Sequence, residues 1–274
     1  MSDFQSPNFK NPPVIEVVLG LQFEPLDSFK TTHVGKLHEI YEADYPTVSE
    51  HSLLEPKFEN FATETFAPSR MVLKLVDNKA IPRVWFVSED ENSLLQLQRD
   101  RFIYNWRRKE PSEEIPYPRY ENIRDEFKLR YKQFLEFLTN QKLPEPAVNQ
   151  IEVTYVNLIS CEDNDFSKSM HEVFEFWNPD PQPSPLGEPE TQKFVTTYLI
   201  KDDDERIGRL SITSHTLIRH DNKKYLRVDI VARGKPKDVS LNGILDFMNL
   251  GRSKIVLGFD SLTTEDMHKI WGKE

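Results

Sequence analysis

The densest run of groups able to do chemistry is Gln98-Arg99-Asp100-Arg101-Phe102-Ile103-Tyr104-Asn105-Trp106-Arg107. In an extended chain, alternation puts Arg99, Arg101, Ile103, Asn105 and Arg107 on one face and Asp100, Phe102, Tyr104 and Trp106 on the other. The first face is cationic, and arginine's planar fork suits bidentate binding of a carboxylate or phosphate. An anionic ligand, or the acidic segment of a protein partner, is the expected target, with Arg99, Arg101, Asn105 and Arg107 in contact and Trp106 beside them. Two carboxylates stand out for the opposite reason. Glu16 and Glu152 each sit inside an otherwise apolar strand, where a carboxylate must be paired, protonated or part of a site. They are the natural internal partners of the arginines, and they complete the candidate binding set. Paired carboxylates can also do general acid and base work, so a hydrolase or lyase with a buried glutamate as base is the competing reading.

Other chemistries lack their residues. With only nine glycines there is no GxGxxG, GKS or GKT for a phosphate cradle, and no GxSxG elbow. The seven histidines show no HExxH or HxH spacing, and His33 and His38 are not spaced to put two ligands on one helical face. Cys161, next to Glu162 and Asp163, is the single cysteine. It can form no internal disulfide, and neighbouring carboxylates raise a thiol's pKa, so it is read as inert rather than as a dyad with His171. Tyr155 and Asn157 fall on the strand face opposite Glu152 and cannot share a pocket with it, while Tyr117 is read as loop packing. No catalytic residue, metal ligand or cofactor is expected.

The elements that must position these residues follow from periodicity. Pro12-Pro13 closes a polar tail (1–13), and Val14 to Phe23 is apolar and β-branched enough for a central strand. Phe29, His33, Leu37 and Ile40 mark a first helix. Period-two runs then predict a three-stranded meander from MVLKLV, RVWFVS and SLLQLQRDRFIYNW, and Ile123, Phe127, Tyr131, Phe134 and Leu138 mark a second helix. The order then repeats. QIEVTYVNLI from Gln150 replays Ile15-Glu16-Val17 as Ile151-Glu152-Val153, and Phe166, Met170, Val173 and Trp177 give a helix. A second meander comes from KFVTTYLI, RIGRLSITSHTLI and YLRVDIVAR. A closing helix with Leu241, Ile244, Leu245 and Met248 is expected to stop at Gly251, followed by a last turn capped by Thr263. The expected fold is α+β. Two tandem strand-helix-meander-helix repeats, 14–146 and 147–274, form an antiparallel-rich sheet with helices on one face. On this plan the arginine-rich strand has no counterpart in the second half.

Composition narrows the partners. Thirty-five Lys and Arg against 45 Asp and Glu give a net charge of −10, which disfavours generic nucleic-acid binding, including local single-strand contact through Tyr104 and Trp106. No apolar run reaches the roughly 20 residues of a bilayer span, and residues 1–13 lack a signal peptide's order, so a cytoplasmic protein with no membrane contact is expected. The segments NPPVIEVVLGLQF, LLQLQRDRFIYNWR, YPRYENIRDEF, IEVTYVNLI and FDSLTTEDMHKIWG resemble a sporadically distributed, uncharacterised family of prokaryotic proteins of similar length. The resemblance spans nearly the whole chain and carries no catalytic residues over. Its scattered occurrence implies an accessory role, as in mobile toxin–antitoxin or phage-defence systems. The expectation is therefore a non-enzymatic binding or regulatory protein that meets a protein partner and is free to form homo-oligomers.

Overall fold

The computed structural model describes residues 7–61, 81–109, 115–161, 166–177, 190–219 and 222–274. β1 (Val14–Phe23) shows why the chain begins a sheet where it does. Val17, Leu19, Leu21 and Phe23, each at most 1% exposed, line one face, while Glu16, Val18, Gly20 and Gln22 line the other. α1 (Thr31–Tyr41) follows, then β2 (Thr47–His51), β3 (Arg83–Val87), β4 (Ser93–Gln98), β5 (Arg101–Arg107) and α2 (Tyr120–Asn140). The second half runs β6 (Val148–Ser160), α3 (Phe166–Val173), β7 (Lys193–Asp202), β8 (Glu205–Ile218), β9 (Lys224–Gly234), α4 (Leu241–Leu262) and α5 (Glu265–Ile270).

The nine strands of the described residues form one antiparallel sheet in the order β2-β3-β4-β5-β1-β6-β9-β8-β7. The first strands of the two halves, β1 and β6, are therefore neighbours at its middle, with Val18 opposite Thr154. Each half then extends outward through its own meander. The helices cover one face. Phe102 packs on Phe127 and Phe134 of α2, Phe86 on His38 and Tyr41 of α1, and Phe194 on Phe174 just past α3. Among the described residues, no helix lies on the face bearing Glu16 and Glu152.

Several expectations change here. The stretch from Ser93 to Arg107 is two strands rather than one, because Gln98 pairs directly with Arg101 and the chain reverses at Arg99-Asp100. The Asp100 carboxylate accepts a hydrogen bond from Gln98 Nε2 at 2.6 Å, which fastens the turn without a glycine. β2, polar and short, was not expected; it forms the edge beyond β3. MVLKLV at 71–76 lies outside the described residues. Gly251 does not end α4, which runs on to Leu262 and is capped at its start by Ser240, whose hydroxyl accepts from Gly243 N at 3.3 Å. A side chain at 251 would meet Ala232 Cβ at 3.1 Å and Val153 Cγ2 at 3.3 Å, so glycine here lets the helix lie close on β6 and β9. The cap of α5 is Thr264; the Thr263 hydroxyl instead donates to Phe259 O at 2.7 Å and lies 2.8 Å from His268 Nε2.

The two ends of the described chain meet beside that histidine. Lys10 N donates to Gly272 O and Asn11 N to Trp271 O, both at 3.0 Å, while Phe9 packs edge-on against Phe259 and His268. Among the described residues, no helix is long and apolar enough to cross a membrane.

Two measurements check this packing. Gly251→Val should destabilise the protein by about 1–3 kcal/mol in urea denaturation, through overpacking against the sheet. His268 is held below the ordinary histidine value by burial, with Lys273 adding to the shift and Asp260, Glu265 and Glu175 opposing it. The folded state thus prefers the neutral ring. Stability should be full above the unfolded value of about 6.5 and fall as pH drops from there through the lower folded value. His268→Gln should flatten that part of a plot of Tm against pH.

Candidate functional site

The helix-free face is unusually polar for one so well covered. Gln22, Gln96, Gln98, Asn105 and Gln150 all lie on it and are all buried. Buried amides must be hydrogen-bonded, and most of these are. Arg83 Nη1 donates to Gln96 Oε1 at 2.9 Å, Gln96 Nε2 to Asn105 Oδ1 at 2.8 Å, and Asn105 Nδ2 to Glu16 Oε1 at 2.7 Å. One ladder of side chains thus crosses β3, β4, β5 and β1, and it accounts for the carboxylate of Glu16 inside an apolar strand. Beside it, the Trp85 ring stacks on His51 at 3.8 Å, with the guanidinium carbons of Arg83 and Arg107 at 5.4 and 5.7 Å from its centroid.

What covers this face is the chain itself. After β2, residues 52–61 run as a strap across the strands, tied at successive points. The Leu54 amide donates to Gln98 Oε1 at 2.9 Å, and the Leu54 carbonyl accepts from Gln98 Nε2 at 3.0 Å. The Glu55 carbonyl accepts from Arg101 Nη2, and the Lys57 amide donates to Gln22 Oε1 at 2.9 Å. At the far end Glu59 meets Arg209 at 2.8 Å and Arg233 at 3.4 Å, and Arg209 lies 4.7 Å over the Phe61 ring. The strap thus passes over β4, β5 and β1 and is anchored on β9 and β8.

Beneath it lies a cavity of about 190 Å³. That is the room of about six waters at roughly 30 Å³ each. Val18, Leu54 and Ile103 give it an apolar wall, and Arg101, Gln22, Gln150, Glu152, Arg233 and Lys57 give it polar ones. Its floor is Gly20, which stands opposite Ile103 on β5 and Glu152 on β6. A Cβ there would meet Ile103 Cγ1 at 3.5 Å and Glu152 Cβ at 3.9 Å, both ordinary contacts. The backbone does not require glycine at this position; the missing side chain is what leaves the hollow.

The charges in the cavity are unevenly matched. Glu152 is engaged on both oxygens, Oε1 accepting from the Thr154 hydroxyl at 3.0 Å and Oε2 from Arg233 Nε at 2.7 Å. Arg101 has no such mate among the described residues. Its Nη2 reaches the Glu55 carbonyl, but its Nε is buried and finds no hydrogen-bond partner among the described residues. Burial weakens the guanidinium's hold on its proton; Asp100, Glu152 and Glu55 act against that shift and Arg233 acts with it. Arginine stays charged through such shifts.

The residues singled out by sequence therefore divide. Arg101 and Glu152 meet in the cavity. Asn105 and Glu16 meet in the neighbouring ladder, with Arg107 opposite Glu16 and donating through Nε to the Glu91 carbonyl at 3.0 Å. Arg99 is displaced into the β4–β5 turn, paired with Asp27. Trp106 points to the helix side, where it is buried 5.5 Å from Tyr117, so it takes no part with the arginines. Tyr155 lies on that side too, its hydroxyl 3.0 Å from that of Tyr117. The second half does hold matching arginines, contrary to expectation. Arg233 stands opposite Glu152 as Arg107 stands opposite Glu16, and Arg227 stands opposite Leu158 as Arg101 stands opposite Gln22. Gly20, Gln22, Gln150, Arg233 and the strap were not anticipated. A glycine and two glutamines within apolar strands were the available signals.

Among the described residues, no three His, Cys, Asp or Glu side chains converge as a metal site would require. Comparison with protein-family models, with curated proteins and with solved structures gives no match.

Since a methyl group fits at position 20, Gly20→Ala should fold and match or exceed the parent in stability by up to about 1 kcal/mol, as alanine outperforms glycine inside a strand. Thermal unfolding of the two proteins checks it.

Proposed function

We propose that this chain is a non-enzymatic binding or regulatory protein that takes the anionic group of a ligand into the cavity between the strap and the sheet. The observation that carries the reading is Arg101, a half-buried guanidinium that lines the cavity and of whose three nitrogens only Nη2 has a hydrogen-bond partner among the described residues. A carboxylate or phosphate placed against the guanidinium's open edge would satisfy donors that otherwise stay unpaired, and a charged acceptor makes the stronger bond. The strap would close over the bound group and shield the charge pair from water, raising its strength. A protein-wide charge of −10 does not oppose this, because a small anion inside the cavity feels Arg101 and Arg233 at much shorter range.

The competing reading, a glutamate acting as general base, has little to support it. Glu152 is ion-paired with Arg233 and hydrogen-bonded by Thr154, and Glu16 is tied into the amide ladder. A ligand-binding protein of this kind suits the accessory role implied by scattered occurrence, with occupancy of the cavity read out by a protein partner through the strap.

Calorimetric titration with small carboxylates and with phosphate tests the reading. At least one should bind, and Arg101→Gln should weaken it by about tenfold or more, the loss of a charge-assisted pair. Unchanged affinity in a folded Arg101→Gln protein would contradict the assignment.

A further inference from the structure

We infer that the ligand of this cavity is a small zwitterion of the α-amino acid class, its carboxylate on Arg101 and its ammonium on the opposite wall; this rests on the anion-binding role of Arg101 proposed above. The opposite wall holds an acceptor with nothing to accept. Gln150 is 8% exposed, lines the cavity, and its Oε1 has no hydrogen-bond partner among the described residues. A buried acceptor left unpaired is unfavourable, and a ligand's N–H would relieve it. In the structure Oε1 is the enclosed atom of this amide and Nε2 the accessible one, so receiving a ligand N–H requires the amide to turn over, an orientation that Arg101, Lys57 and Arg233, as donors to the same cavity, favour.

The geometry sets the span. Arg101, Gln22 and Gln150 form one row across β5, β1 and β6. Two interstrand spacings separate the ends of that row, about 10 Å between Cα atoms. Gln22 stands between them with its amide held by Asn149 and the Lys57 amide, so the ligand, its two polar groups a few bonds apart, would lie beside Gln22 over the hollow at Gly20. In the next row stand Ile103, Gly20 and Glu152, so the hollow over Gly20 lies between the cation and the carboxylate. Glu152 Oε2 is held by both Nε and Nη2 of Arg233, at 2.7 and 2.5 Å, while Oε1 accepts only from the Thr154 hydroxyl and keeps a lone pair open. A carboxylate has about four acceptor sites, which leaves room for an ammonium and favours it over a neutral hydroxyl. Val18, Leu54 and Ile103 then face whatever side chain the ligand carries, and a cavity of about 190 Å³ limits that side chain to a small apolar one.

The test is calorimetric titration of the full chain with L-valine and four relatives. These are 2-hydroxy-3-methylbutanoate, with a hydroxyl for the amine; 3-methylbutanoate, with no donor; N-acetyl-L-valine, with the ammonium removed; and isobutylamine, with no anion. L-Valine should bind about tenfold or more tighter than 3-methylbutanoate, the worth of an ammonium placed on paired acceptors. Gln150→Leu should erase most of that preference while leaving 3-methylbutanoate within about twofold, since the Arg101 contact is untouched. Glu152→Gln should act in the same direction, and Gly20→Leu, which fills the hollow, should abolish binding of every probe in a protein whose circular dichroism is unchanged. If 3-methylbutanoate binds as well as valine, the zwitterion inference falls and Arg101 as an anion site stands. Should isobutylamine alone bind, or no probe bind, both fall.

Discussion

The pairing of β1 with β6 is the constraint on which the rest depends. Each half has a meander of its own and helices to cover one side of it, and neither meander alone brings a cationic strand next to the other half's carboxylate. Joining the first strands antiparallel, with Val18 opposite Thr154, turns two meanders into one sheet and sets Glu152 beside Gly20. Since β5 is the outer neighbour of β1, Arg101 then lies one row from Glu152 instead of at a distant edge. The seam also removes what would have been an exposed edge from each half, which antiparallel sheets otherwise have to protect.

Because the helices all take one face, the other must be covered by something else or left to water. The strap supplies the cover without bringing an apolar layer of its own. It is fastened by backbone contacts to Gln98, Arg101 and Gln22 and by Glu59 to Arg209 and Arg233. Polar burial of this kind contributes little net stability but specifies one arrangement, since each amide has one matching partner at one register. A cover held by hydrogen bonds rather than by packed side chains is also one that opens at modest cost, which a binding cavity beneath it requires. Structure and chemistry thus meet in the same residues: Arg101 ties down the strap with one nitrogen and offers another to the cavity.

Much of the architecture was legible in the sequence for simple reasons. Ile123, Phe127, Tyr131, Phe134 and Leu138 are spaced for one helical face and all bury it in α2. Val17, Leu19, Leu21 and Phe23 alternate in β1 as a one-sided strand must. The failures have equally definite causes. The β4–β5 turn was missed because an aspartate side chain, not a glycine, fastens it. Gly251 reads as a stop signal locally, whereas its role is to bring two elements together that are distant in sequence. The second arginine set was missed because Arg227 and Arg233 are scattered among apolar residues in β9, and their match to β5 exists only through strand register. Of the site, Arg101 and Glu152 were visible as charges out of place; the strap was not, since nothing in residues 52–61 has a period.

The central claim is that the Arg101 guanidinium is partly buried, charged and presented to a cavity instead of to a protein carboxylate. The most direct measurement is the side-chain Nε–H signal of Arg101 in a nitrogen-15 NMR spectrum, assigned by its loss in Arg101→Lys and followed as acetate is added. A single signal protected from solvent exchange that shifts with saturation as acetate is added is the predicted result. A signal that does not respond to acetate, or one that exchanges as fast as those of exposed arginines, would contradict it.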